Sequence, residues 1–215
     1  MNIWLKVVIC LGLGYLCGCF SSGFFVGKLF HSDVRKMGSG NLGTTNVMRT
    51  LGAGAGALTL FLDLAKCIIP VLLVRFVLFP EAEPFSYDSQ LLVLLTSLGA
   101  VIGHDFPFYL KFHGGKGIAC MGAVMLVYDW RLALIGFLSF CLIIAVTKYV
   151  SVASLVESVF FPVWVCFFTE SDWKMVLITC AFTVLAFFQH RTNLVRLAHG
   201  TENRFSIKKK EKDGE

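Results

Sequence analysis

The residues from Ala53 to Phe79, AGAGALTLFLDLAKCIIPVLLVRFVLF, decide what kind of fold this chain can form. Apart from Asp63, Lys66 and Arg75 the run is apolar, and its length exceeds the ~20 residues that a helix needs to cross a bilayer. Similar runs flank it at Ile3–Lys28, Gln90–Phe108, Lys116–Asp129, Leu132–Thr147, Val150–Phe168 and Met175–Gln189. Across the 215 residues, 56% are hydrophobic and only 15% charged, far outside soluble averages. The mean hydropathy is +0.74. A soluble core cannot absorb that much apolar surface, so the sequence predicts an all-α, polytopic integral membrane protein.

Charge predicts the number of crossings. The fourth run is short, about 21 Å of helix at ~1.5 Å per residue against a hydrocarbon core of ~30 Å. If it crosses, seven transmembrane helices put the N-terminus outside and the C-terminus in the cytoplasm. Lys6, Arg75, Arg131 and Lys174 then lie outside, and nearly all the other basic residues inside. If it does not cross, the basic tail falls outside, against the positive-inside rule. The length suits one membrane-embedded domain, residues 1–205, followed by a basic and disordered tail, 206–215. The first run lacks a small-x-small cleavage site and reads as a retained span. All eight cysteines fall in apolar runs without metal-ligand spacing and read as small hydrophobes. No internal repeat supports an inverted-repeat transporter.

Three polar stretches interrupt the apolar pattern. Arg35 to Arg49 contains Gly38-Ser39-Gly40-Asn41-Leu42-Gly43-Thr44-Thr45-Asn46, with glycines that allow a backbone anion nest and a guanidinium suited to phosphate. Next, Gly103-His104 precedes Lys111 and then Gly114-Gly115-Lys116-Gly117, directly before a helix whose N-terminus favours anions. The Walker spacing is absent there. The last stretch is His190-Arg191-x-Asn193-x-x-Arg196, followed by Gly200-x-Glu202; helical spacing puts His190, Asn193 and Arg196 on one face. By the charge count all three lie on the cytoplasmic side. Ser151, Ser154 and Ser158 share a face of the sixth run, which suits helix packing as well as binding. Asp63 and Lys66 also share a helical face, either as a mutual pair or as an aid to an anionic substrate.

In this order and spacing, the three stretches resemble the motifs of the acyl-phosphate-dependent glycerol-3-phosphate acyltransferases of bacterial membranes. Cys67 stands where that family has glycine. The resemblance implies transfer of an acyl group from acyl phosphate to the 1-hydroxyl of sn-glycerol 3-phosphate, the first step of phospholipid biosynthesis. It also implies a multi-pass enzyme of the bacterial inner membrane, its site facing the cytoplasm, without metal or cofactor. The partners would be acyl phosphate, sn-glycerol 3-phosphate and membrane lipid, with coupling to the enzyme that makes acyl phosphate and no nucleic acid. Ser39, Asn41, Arg49, His104, His190 and Asn193 become the candidate catalytic residues. Gly38, Gly40, Thr45, Asn46, Lys66, Lys111, Gly114, Gly115, Lys116, Gly117, Ser151, Ser154, Arg196 and Glu202 become candidates for substrate binding. The base stays open between His104, His190 and a substrate phosphate. The competing class, a membrane transporter or channel for phosphorylated solutes, needs polar groups along a path. Beyond Asp63, Lys66 and Glu157 the runs offer almost none.

Overall fold

The computed structural model describes residues 2–83 and 85–205. Its regular elements are all helical, with no strand among the described residues. In chain order they are α1 (Ile3–Gly18), α2 (Ser22–Leu29), α3 (Thr44–Leu51), α4 (Ala53–Leu73), α5 (Tyr87–Asp105), α6 (Ile118–Tyr128), α7 (Trp130–Thr147), α8 (Val150–Phe168), α9 (Trp173–Gln189) and α10 (Arg191–Ala198). The all-α expectation is borne out. The basic tail and position 84 lie outside the described residues.

Five segments are long and apolar enough to cross a membrane, or six if α9 and α10, bent by 59°, count as one span. The fourth expected run shrinks to α6, whose 11 residues reach about 16 Å. Its C-terminal end is finished by long-range partners: Arg75 Nη1 donates to the carbonyl of Val127 (3.2 Å) and Gln90 Nε2 to that of Tyr128 (2.9 Å). These bonds satisfy carbonyls that a helix end leaves open. The first expected run is broken between α1 and α2. There the Tyr109 hydroxyl donates to the Cys19 carbonyl (2.8 Å) and accepts from the Ser21 amide (3.1 Å), replacing helical bonds.

The bundle is built on α5, which is buried along most of its length. α1 lies tightly against it through Gly14 and Gly18, opposite Gly99 and Gly103. A Cβ at Gly14 would stand 2.0 Å from the Thr96 carbonyl oxygen, and one at Gly103 would stand 2.2 Å from that of Tyr15. Small residues four apart let the backbones touch, which is how helices associate where lipid removes the hydrophobic drive. A second core joins α4, α6, α8 and α9 through Val124, Phe161, Trp164, Met175 and Phe182. By contrast α7 buries only Leu132 and Gly136, and Phe137, Leu142 and Val146 point outward with Phe61 and Phe167. That surface suits acyl chains and not water.

Candidate active site

The three polar stretches converge on one cavity of about 510 Å³. Ser39, Asn41, Thr45, Asn46, Arg49, His104, Lys116, Gly117, Ser151, Ser154, His190, Asn193, Arg196 and Glu202 all line it. Gly38, Gly40, Lys66, Lys111, Gly114 and Gly115 do not. From its polar end the cavity runs on between α4, α6 and α7, along Leu60, Met121, Met125, Phe137 and Phe140.

The first loop is held by a side chain. Asn46 accepts from the Ser39 amide (2.9 Å) and donates to the carbonyls of Met37 (3.1 Å) and Asn41 (2.9 Å). That uses most of its bonding capacity, so Asn46 shapes the loop. Gly38 is required here: its φ is +56°, and a Cβ would come within 2.4 Å of the Asn46 amide oxygen. Asn41 accepts from the Gly43 amide (2.8 Å), which forms an Asx-type turn into α3 and leaves its NH2 for a ligand. Gly43 caps α3 without a side-chain bond, so the first amides of the helix stay open to an anion. Beside them the Thr44 hydroxyl is buried without a partner. Arg49 is exposed, and no described residue pairs with its guanidinium.

The second loop differs from its sequence reading. The Gly114 amide donates to the Asp105 carbonyl (3.0 Å) and the Gly115 amide to that of His104 (3.0 Å). Those N–H groups are thus engaged and form no phosphate cradle. The glycines instead permit contact with the end of α5: a Cβ at Gly115 would meet His104 Nε2 at 1.9 Å. Lys111 is exposed on the far side of the loop, in a left-handed conformation. The group that reaches the cavity is Lys116.

Lys116 opens a chain of bonds that closes the polar end. Its ammonium donates to Asn193 Oδ1, and Asn193 Nδ2 donates to Glu202 Oε1 (2.7 Å). Glu202 also accepts from Ser151 Oγ (3.1 Å) and from Arg196 Nε (2.8 Å). The carboxylate arrives because the chain beyond α10 folds back, with the Phe205 amide on the Lys148 carbonyl (2.7 Å). Burial opposes ionisation of Glu202, but the bonds from Asn193 and Arg196 outweigh it and hold its pKa below the usual range. Burial first, and then the charge of Arg196, pulls the Lys116 ammonium down to about 8 against the opposing pull of Glu202.

Behind the cavity wall, Lys66 is buried with its ammonium 2.6 Å from His104 Nδ1, 2.9 Å from Asp63 Oδ1 and 2.8 Å from the Phe20 carbonyl. The Ser22 hydroxyl donates to the same Asp63 oxygen (2.7 Å). Lys66 therefore supports His104 from behind and has no reach into the cavity. Asp63, His104 and Cys120 bring ligand atoms within 4.8 Å of one another, the outline of a cation site. The ammonium already stands between the first two and supplies the positive charge there.

A family model described as glycerol-3-phosphate acyltransferase matches residues 8–200. The chain belongs to the glycerol-3-phosphate acyltransferase family. A family member of that name from Lactiplantibacillus plantarum is 36% identical over 202 residues, covering 93% of this chain and 92% of its own. One from Staphylococcus aureus is 36% identical over 208 residues, covering 92% and 97%. Among solved structures, PlsY (YgiH), an integral membrane glycerol 3-phosphate acyltransferase in its glycerol 3-phosphate form, superposes with a TM-score of 0.82 at 32% identity, covering 93% of this chain and 96% of its own. Its lysophosphatidic acid form gives 0.80 at 31%. The chain is thus a multi-pass membrane acyltransferase.

Sequence reasoning missed parts of this cavity. Asn203 lines it, as does Glu157, whose Oε1 accepts from Ser139 Oγ (2.5 Å). The spacing Ser151, Ser154, Glu157 continues one helical face and could have included the last. The apolar wall from α7 carried no local signal.

Proposed function

We propose that this chain transfers an acyl group from an acyl phosphate to the 1-hydroxyl of sn-glycerol 3-phosphate, giving lysophosphatidic acid and inorganic phosphate. The observation that carries this is the single cavity whose polar end, with Arg49, Lys116 and Arg196, continues into an apolar arm. A phosphorylated polyol and a fatty acyl phosphate need both halves at once. Arg49, the open amides at the start of α3, Ser39 and Asn41 would hold the phosphate of the donor. Lys116, Arg196, Asn193 and Ser151 would hold the glycerol phosphate. The donor is already activated, so fixing two phosphates and a hydroxyl in line supplies much of the acceleration.

The same reading puts one membrane domain over residues 1–205 in the bacterial inner membrane, with seven crossings and the site facing the cytoplasm. α6 then crosses a bilayer thinned around it. A cysteine at Glu83 should label from outside; labelling only after the membrane is opened would reject this orientation.

The experiment is a proteoliposome assay with palmitoyl phosphate and sn-glycerol 3-phosphate. Phosphate release and lysophosphatidic acid formation should require both substrates. Uptake of glycerol phosphate without acyl transfer would replace the enzyme by a transporter. Transfer from palmitoyl thioesters alone would keep the acceptor and change the donor.

A further inference from the structure

A second hollow, of about 970 Å³, lies at the C-terminal ends of α6 and α8, whereas Lys116 and Ser151 mark the starts of the same helices. It is therefore remote from the polar end of the candidate active site. We propose that this hollow is a phospholipid site, in which Arg75 binds the phosphodiester of the headgroup and the apolar rim takes the start of its chains. With the orientation given above, that lipid belongs to the outer leaflet. The site stands apart from acyl transfer and does not rest on it.

A difference in helix length makes the hollow. The segment Ala53–Leu78 runs for 26 residues, about 39 Å, whereas α6 ends at Tyr128 after about 16 Å. The turn from α6 into α7 then forms a floor of Val127, Tyr128 and Asp129. Leu72 and Phe76 line it from the α4 side, and Phe168 and Thr169 from the end of α8.

Arg75 is the group that calls for an anion. It lies in a wide turn, Val74–Leu78, closed by the Phe79 amide on the Val74 carbonyl five residues back (3.0 Å). Such turns recur at functional sites. The residue is 5% exposed and lines the hollow. Nη1 donates to the Val127 carbonyl (3.2 Å) and Nη2 to Gln90 Oε1 (2.9 Å). A guanidinium has five N–H donors. Three of them, with the buried Nε–H, thus lack an acceptor among the described residues. Both acceptors are neutral. Lys66, the other buried cation of this segment, faces the Asp63 carboxylate at 2.9 Å. A buried charge without a counter-ion is costly, and in membrane helices such charges pair or mark a ligand path. Asp129 does not fill that role, because Arg131 (2.8 Å) and Trp164 (3.2 Å) engage it. Glu170, the other acid of the lining, is exposed, where solvent screens it. The Phe85 ring covers one face of the guanidinium at 4.5 Å and leaves its N–H edge to an oxyanion.

The surroundings select the source of that oxyanion. Leu72, Phe76, Leu126 and Phe168 line the hollow and are exposed on the surface of the bundle. Trp130 and Tyr87 join them, residues that favour the zone where a bilayer passes from chains to headgroups. One unmatched guanidinium balances the single charge of a phosphodiester. A free phosphate ion carries more charge at neutral pH and has no use for an apolar rim.

The test titrates purified wild-type protein in detergent with dioleoyl phosphatidylglycerol, dioleoylglycerol or inorganic phosphate, and counts bound lipid by native mass spectrometry. One phosphatidylglycerol should bind per chain, at least about tenfold more tightly than dioleoylglycerol, the worth of one charged hydrogen bond. Millimolar phosphate should not displace it. A phosphatidylglycerol with a diazirine beside its glycerol should label residues 72–76 or 126–131 in the wild type. Phe85→Glu sets a carboxylate against Arg75 and leaves the bonds to Val127 and Gln90 in place. It should melt cooperatively and bind the lipid at least about tenfold more weakly, as should Arg75→Gln. Equal binding of dioleoylglycerol, labelling confined to the active-site cavity, or wild-type affinity in a folded Phe85→Glu overturns the site. Displacement by phosphate makes the ligand a free anion and overturns the lipid. The wild-type measurements decide the matter even if Arg75→Gln fails to fold.

Discussion

The two glycine-containing loops look alike as sequence and differ as chemistry. In the loop before α3 the glycines make room for Asn46, which shapes the backbone, and both Arg49 and the first amides of the helix stay unengaged. In the loop before α6 the amides of Gly114 and Gly115 are bound to the end of α5, and Lys116 is already tied to Asn193 and through it to Glu202. An anion entering the first loop finds vacant donors. An anion entering the second must take Lys116 from its partners. The first loop is therefore suited to strong fixation of charge, and the second to an exchange that ligand and product can reverse.

The largest test of this contrast is Arg49→Lys. Lysine keeps the charge and loses the planar fork, so kcat/KM should fall by ~2–4 kcal/mol, the cost of removing one preorganised donor in other enzymes. Turnover within threefold of wild type would take Arg49 out of the site and remove the asymmetry between the loops.

Gly115→Ala and Gly38→Ala come next. The added methyl at Gly115 would press on the His104 ring, and the one at Gly38 on the Asn46 side chain in a left-handed backbone. Each should cost about 1–3 kcal/mol through forced displacement. The effects should differ in kind: Gly115→Ala should lower kcat by moving His104, and Gly38→Ala should raise the KM of the acyl donor. The same kinetic change in both would erase the distinction.

The pH profile sharpens the comparison further. Lys116 is cationic below about 8 and neutral above it, facing Arg196, Arg191 and Glu202. On the proposed function, its deprotonation removes a charge that would attract glycerol phosphate. The kcat/KM for glycerol phosphate should therefore decline above pH 8, by up to about tenfold per unit for a single ionisation. Lys116→Arg should move that decline upward. An unchanged alkaline limb in Lys116→Arg would assign it elsewhere.

The smallest expected effect belongs to the cysteines. Cys141, Cys166 and Cys180 face outward, and replacing all three by alanine should leave activity unchanged and stability within about 0.5 kcal/mol. Neither these nor Ser39 should form an acyl adduct with donor alone. Ser39 has no base among its hydrogen-bond partners, and its amide is bound by Asn46. Recovery of an adduct at Ser39 would replace direct transfer by a two-step route.

The membrane class, the helical content and the identity of the polar residues around the cavity were legible in the chain, because apolar run length and residue type are local properties. So was the association of the three motifs, through their order. Which donors remain free was not. Lys66 is withdrawn from the cavity by Phe20 and His104, 46 and 38 positions away, and Lys116 meets Asn193 77 positions away. The break after α1 depends on Tyr109, and the truncated α6 on Arg75 and Gln90. A hydrogen bond reads geometry and not composition. The sequence by itself determined that phosphate-seeking groups sit beside apolar helices. Only the tertiary structure decided which amides are closed, which guanidinium is open and which lysine reaches the cavity, since those follow from partners brought together by folding.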